Sequence, residues 1–169
     1  VSHEHPDHFH VPTLKSMPQE FKDRVTLLFQ KNNSDKMPNA FRKMLGFKNI
    51  ILLTNRKVTP ITPETSVHNS QIGQMDSSFA VMNKGYTLLN VNDCEINSTD
   101  CKNYRKDLGK IDLVLNQFSL AGYNGEINYK DHLPGVSQII LDNMIENHRD
   151  LGVKTTIPFA SYVYFCCED

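Results

Sequence analysis

The chain has almost no net charge. Its 18 Lys and Arg stand against 19 Asp and Glu, a formal −1 at neutral pH. That balance excludes the basic footprint of a nucleic-acid-binding surface. Long apolar runs are also missing: none approaches the roughly 20 residues needed to span a bilayer, so no membrane partner is expected. Cysteine is sparse, with Cys94, Cys101, Cys166 and Cys167 lacking zinc-knuckle spacing. Reduced thiols in a cytoplasmic protein are the expectation. There is no internal repeat, no low-complexity tract and no domain linker. What remains is a chain of 169 residues, long enough for one domain, 1–169, with a real core.

Against that background the histidines are concentrated. His3, His5 and His8 alternate with Glu4, Pro6 and Asp7, and His10 follows. Neither a helix nor a strand turns adjacent side chains toward one point, so the run predicts an irregular loop. His3 and His5 can project the same way along an extended segment, with Asp7 and His8 turning in beyond Pro6. Imidazole with a carboxylate beside it suits zinc or iron and an open, hydrolytic type of site. A histidine tag would be a homopolymer, whereas this run is spaced and leads into a patterned chain. Glu4, between two candidate ligands, is expected to point away, and His10 to be exposed or behind the site.

Downstream, strands alternate with helices, which argues for an α/β domain with helices covering a sheet. Pro18 suits a first helical position, and Phe21, Val25, Leu28 and Phe29 recur at helical spacing up to a break at Asn32-Asn33-Ser34. Pro38–Leu45 reads as a second short helix closed by Gly46. Ile50–Thr54 and Ile111–Leu115 read as buried strands, and Thr59–Gln74 as strand ends and loops. Phe79–Met82 and Tyr86–Val91 flank Asn83-Lys84-Gly85, a hairpin signal. Thr99–Leu108 is a polar helix before Gly109. Val136, Ile139, Ile140, Met144 and Leu151 line a longer helix stopped by Gly152. Thr155–Pro158 and Tyr162–Phe165 are the last expected strands.

The His3–His8 run resembles the signature of the metallo-β-lactamase superfamily. The segment from Asp76 through Asn83-Lys84-Gly85 to Asp93-Cys94 resembles the hairpin that delivers that family's bridging aspartate. His68 stands sixty positions after His8 and twenty-five before Asp93, in the interval of the family's third histidine. The resemblance therefore implies His3, His5 and His68 on one metal, and Asp7, His8 and Asp93 on a second, with Asp93 as the bridge. It also makes Asp7 the catalytic proton acceptor. The implied fold is an αββα sandwich whose N-terminal strands would precede Val1, so the chain reads as an incomplete domain, open at its C-terminus too. His3–Leu14, His68–Cys94, Phe118–Gly122 and Pro158–Tyr162 further resemble the β-lactamase-like half of CMP-N-acetylneuraminate hydroxylase and its bacterial relatives. Those relatives often carry a Rieske-type iron–sulfur module, but this chain has no paired Cys-His ligand pattern. Such an electron donor would be a separate partner or segment.

One departure stands out. The family's final histidine is expected near Ile157–Ser161 or around Cys166-Cys167, and neither stretch contains one. Cys167 and His132 are the substitutes, so a site of one or of two ions stays open. Tyr123 and Asn124, in the Phe118–Gly125 loop, are candidates for substrate contact. The expected activity is that of a zinc-dependent hydrolase, with one or two Zn2+ ions and a metal-bound hydroxide attacking a small-molecule ester, lactone, phosphodiester or amide. The alternative is an iron-dependent, hydroxylase-like oxidoreductase fed by an external electron donor. A binding domain with a decayed site is the third reading.

Overall fold

The structure, a computed structural model, describes residues 1–6, 8–118 and 129–159, with 129–134 as backbone only. Contacts group the chain into two compact units, Val1–Phe79 and Ala80–Asp169.

In the first unit the described residues before Val11 form no helix or strand, as the crowded histidine run requires. Two short helices follow, α1 (Val11–Ser16) and α2 (Gln19–Arg24), the latter entered through Pro18. The helix expected to run through Phe29 ends at Arg24. Thr26–Gln30 is instead strand β1, parallel to β2 (Asn49–Leu53), with Thr26 opposite Asn49 and Gln30 opposite Leu53. In so short a stretch Val25, Leu28 and Phe29 fit a helical period while Val25, Leu27 and Phe29, which pack into one core, fit a strand's. The β-branched pair Val25-Thr26 and a neighbouring strand with Ile50 and Ile51 decide for extended backbone.

Between these strands, α3 (Lys36–Asn39) continues as a π-helical turn over Ala40–Met44 and closes at Gly46, whose φ of 78° favours glycine. This helical stretch supplies the core. Phe29, Met37, Phe41, Leu45 and Phe47 are buried together, and Val1, Phe9, Val11 and Leu14 pack against them. Phe41 meets Phe9 and Phe29 edge-to-face, with ring centroids 5.4 and 5.3 Å apart, a geometry that satisfies the ring quadrupoles.

The polar stretch after Thr54 is more regular than its composition suggests. Lys57–Pro60 forms β3 and Thr65–Ile72 forms β4, antiparallel, with Val58 opposite His68. Val67, His68, Asn69 and Ser70 are all buried, so both faces of β4 are covered and the polar/apolar alternation that marks a half-exposed strand is absent. A turn through Gly73 leads into β5 (Asp76–Asn83), the neighbour of β4.

In the second unit the end of β5 and β6 (Tyr86–Asn92) form the expected hairpin. Lys84 and Gly85 both take positive φ, 49° and 81°, as a two-residue turn matching strand twist requires. Helix α4 (Ser98–Leu108) connects to β7 (Leu113–Gln117), and α5 (Tyr129–Leu151) connects to β8 (Thr156–Phe159). Strands β6, β7 and β8 pair in parallel, the arrangement that helical crossovers permit. Leu89, Val91, Val114 and Tyr104 are buried here. The strand expected at Tyr162–Phe165 lies outside the described residues. Among the described residues no helix is long and apolar enough to cross a membrane.

Candidate metal centre

The histidine loop is fastened at both ends, since Val1 and Phe9 pack against the Phe41 core. Between them the backbone folds back on itself: the His8 and Phe9 N–H groups donate to the His5 carbonyl at 3.0 and 2.7 Å. That turn gathers the imidazoles. The His3 ring lies 4.5 Å from that of His5 and 4.1 Å from that of His8, centroid to centroid. Ser2 Oγ stands 3.1 Å from His3 Nδ1 and 2.9 Å from His8 Nδ1.

A carboxylate completes the group. Asp76 Oδ1, at the start of β5, lies 3.6 Å from His3 Nε2 and 3.7 Å from His5 Nδ1. These separations exceed the roughly 2.7–3.2 Å of a hydrogen bond. They match the edge between two ligands held about 2.0–2.2 Å from a shared ion, roughly 3.3–3.7 Å at near-tetrahedral angles. Asp76 Oδ1 is itself buried and accepts no hydrogen bond from the described residues, an arrangement that is costly unless a cation completes it. His3 is fully buried, whereas the His5 and Asp76 side chains are 44% and 36% exposed, so the site opens to solvent on one side. His3, His5 and Asp76 therefore fit a divalent transition ion, with two imidazoles and one carboxylate as donors.

Asp76 carries no role in the sequence reading, although it sits inside the hairpin segment that reading singled out. The available signal was an acid opening a strand directly after a glycine turn and before two small polar residues, Ser77 and Ser78. Both serines are buried, and Ser77 Oγ donates to the Ser2 carbonyl at 2.7 Å. This bond fastens the start of β5 to the histidine loop.

The other candidates are placed as follows. His68 is buried on β4 and is not part of the His3, His5, Asp76 group. Asp93 immediately follows β6, at a strand end as expected. Asn92 before it takes a left-handed φ of 59°, beside a bulge in the β6–β7 register, and its N–H donates to Asn90 Oδ1 at 2.9 Å. Asparagine tolerates this conformation better than most residues, and it turns the chain sharply before Asp93. Glu4 pairs with Lys36 at 3.1 Å. His10 is exposed, 2.7 Å from Thr13 Oγ1. Cys94 is buried. His132 belongs to α5, described there as backbone only. Asp7, Tyr123, Asn124, Cys166 and Cys167 lie outside the described residues.

No family model matches the sequence, and no curated protein matches it. Solved structures do. CmlA, a diiron β-hydroxylase from Streptomyces venezuelae, superposes with a TM-score of 0.67 at 14% identity, over 95% of this chain and 34% of its own. The metallo-β-lactamase fold protein YhfI from Bacillus subtilis gives 0.60 at 12% identity, over 95% of this chain and 62% of its own. Human tRNase Z, short form, gives 0.59 at 12% identity, over 93% and 71%. The chain thus spans about a third of CmlA and under two thirds of YhfI. With mixed strands and helices superposing on these structures along nearly its whole length, this chain has the metallo-β-lactamase fold.

Proposed function

We propose that the protein is a metal-dependent hydrolase. The carrying observation is the convergence of His3 Nε2 and His5 Nδ1 on Asp76 Oδ1 at 3.6 and 3.7 Å, at a solvent-open site. A divalent ion held there would polarise a carbonyl or phosphoryl oxygen and bring bound water to a pKa of roughly 7. His3, the buried donor, would anchor the ion, and the half-exposed His5 and Asp76 would complete its hold where water and a small ester, lactone, phosphodiester or amide have access. The ligand roles implied for His8, His68, Asp7 and Asp93, and the proton-acceptor role of Asp7, are kept as proposals, each judged by the metal content of its alanine or amide variant. The reading is supported by fold likeness to tRNase Z and YhfI, which selects no substrate.

A second reading has its own support. Two histidines and one carboxylate are also the donor set of non-haem iron oxygenases, and CmlA, which shares the fold, is a diiron β-hydroxylase. An iron centre with an external electron donor is the corresponding proposal. Metal analysis after expression with zinc and iron supplied together separates the two, followed by a hydrolysis panel of aryl ester, lactone and phosphodiester. Zinc occupancy with hydrolysis, both lost in Asp76→Asn, supports the first reading. Iron occupancy without hydrolysis supports the second. A protein that binds neither metal refutes both.

A further inference from the structure

Resting on the metal-centre reading, we propose that Ser2 positions both His3 and His8. Its hydroxyl oxygen accepts the Nδ1–H of each ring, fixing their tautomers and leaving Nε2 of His3 as the ligating atom for a divalent cation. Ser2 is buried, and its Oγ lies 3.1 Å from His3 Nδ1 and 2.9 Å from His8 Nδ1. A serine oxygen has two lone pairs, so it can receive two N–H groups at once. Were the hydroxyl to donate to a ring instead, that neutral ring would carry its proton on Nε2, and a protonated nitrogen cannot ligate. For His3 the surroundings decide between the two. Its Nδ1 faces Ser2, and its Nε2 faces Asp76 Oδ1 at 3.6 Å, outside hydrogen-bond range. The Nε2 side is therefore the metal side and the Nδ1 side the serine side.

His8 shares the same hydroxyl, and the two rings lie 4.1 Å apart with 32° between their planes. One oxygen thus sets the orientation of two imidazoles. Ser2 is in turn held from behind, by the 2.7 Å bond from Ser77 Oγ to its carbonyl. Because Ser77 adjoins Asp76, that bond places the carboxylate and the serine-bound histidines in one register. Metal-binding histidines depend on such partners for their remaining N–H, and losing one typically weakens metal affinity about 10- to 100-fold.

The test uses the whole chain as wild type, Ser2→Ala and Ser2→Thr, with two readouts. Nitrogen-15 NMR of the imidazoles at about pH 8, where an ordinary histidine is neutral, reports which nitrogen of His3 and His8 carries the proton. It is run without metal. Zinc affinity is then measured by competition with a chromophoric chelator. Expected are Nδ1–H tautomers for both rings in the wild type, lost from at least one ring in Ser2→Ala. Zinc binding should be about 10- to 100-fold weaker in Ser2→Ala, with both properties restored in Ser2→Thr, which keeps the hydroxyl. An Nε2–H tautomer on either ring of the wild type, or wild-type tautomers in Ser2→Ala, would overturn the role of Ser2. Failure of the wild type to bind zinc or iron would overturn the metal reading instead, and the tautomers would still decide the serine.

Discussion

At the scale of single residues, Phe41 does more than fill space. It is fully buried, and Phe9 packs edge-on against it at the end of the histidine loop. Phe41→Ala should destabilise the protein by about 3–5 kcal/mol, measurable by chemical denaturation. It should weaken zinc binding as well, because Phe9 loses its seat. Denaturation curves that shift with no change in zinc affinity would separate the core from the loop. Cys101 illustrates the opposite case, a group with chemistry that its site suppresses. Burial, with the carboxylates of Asp150 and Asp100 nearby, pushes its thiol up to about 12. The thiolate is the reactive form, so Cys101 should resist iodoacetamide at about pH 8 in the native protein and react promptly once unfolded. Mass spectrometry of tryptic peptides reads this directly, and fast native labelling would contradict the burial.

At the scale of elements, helix α4 shows how local chemistry fixes a boundary. Asn97 accepts from the Thr99 and Asp100 N–H groups at 2.8 and 3.3 Å, while Asp100 Oδ2 accepts from the Asn97 N–H at 3.0 Å. This reciprocal cap satisfies donors that the helix itself cannot. Asn97→Ala should cost about 1 kcal/mol of stability, read as a lowered Tm with unchanged metal content. Such self-contained signals are what the sequence displays well. The α4 boundary, the Lys84-Gly85 turn and the stops at Gly109 and Gly152 were legible because their causes lie within a few residues. Strands β1 and β4 were not. Leu28 and Phe29 take extended backbone through a partner some twenty residues away, and His68 sits in a strand whose two faces are both covered. The site divides in the same way: the histidine loop announces itself, whereas Asp76 and Ser2 acquire meaning only when β5 is laid against the loop.

At the scale of the whole molecule, the near-zero net charge conceals individual carboxylates held in their ionised form. The Lys110 ammonium, then the Thr87 N–H, lower the pKa of Asp112 below its ordinary 3.8. Lys48 and Gln19 lower that of Asp23. A carboxyl depressed on folding adds stability that is present above its unfolded pKa and lost as pH falls through the folded one. Thermal unfolding followed downward from neutral pH should therefore show Tm falling once the pH drops below about 4. The fall should be shallower in Asp112→Asn and Asp23→Asn, and an acid limb identical to wild type in both would exclude these pairs as its source. The anchored histidine loop bears on a different property, the kinetics of metal exchange. Since Val1 and Phe9 pack against the core, the backbone entropy of gathering the imidazoles is lost when the protein folds, not when an ion arrives. Capture then leaves the chain almost as it was. Stripping and reloading with zinc should proceed at ambient temperature without hysteresis, and stripped and loaded protein should give superimposable far-ultraviolet circular dichroism.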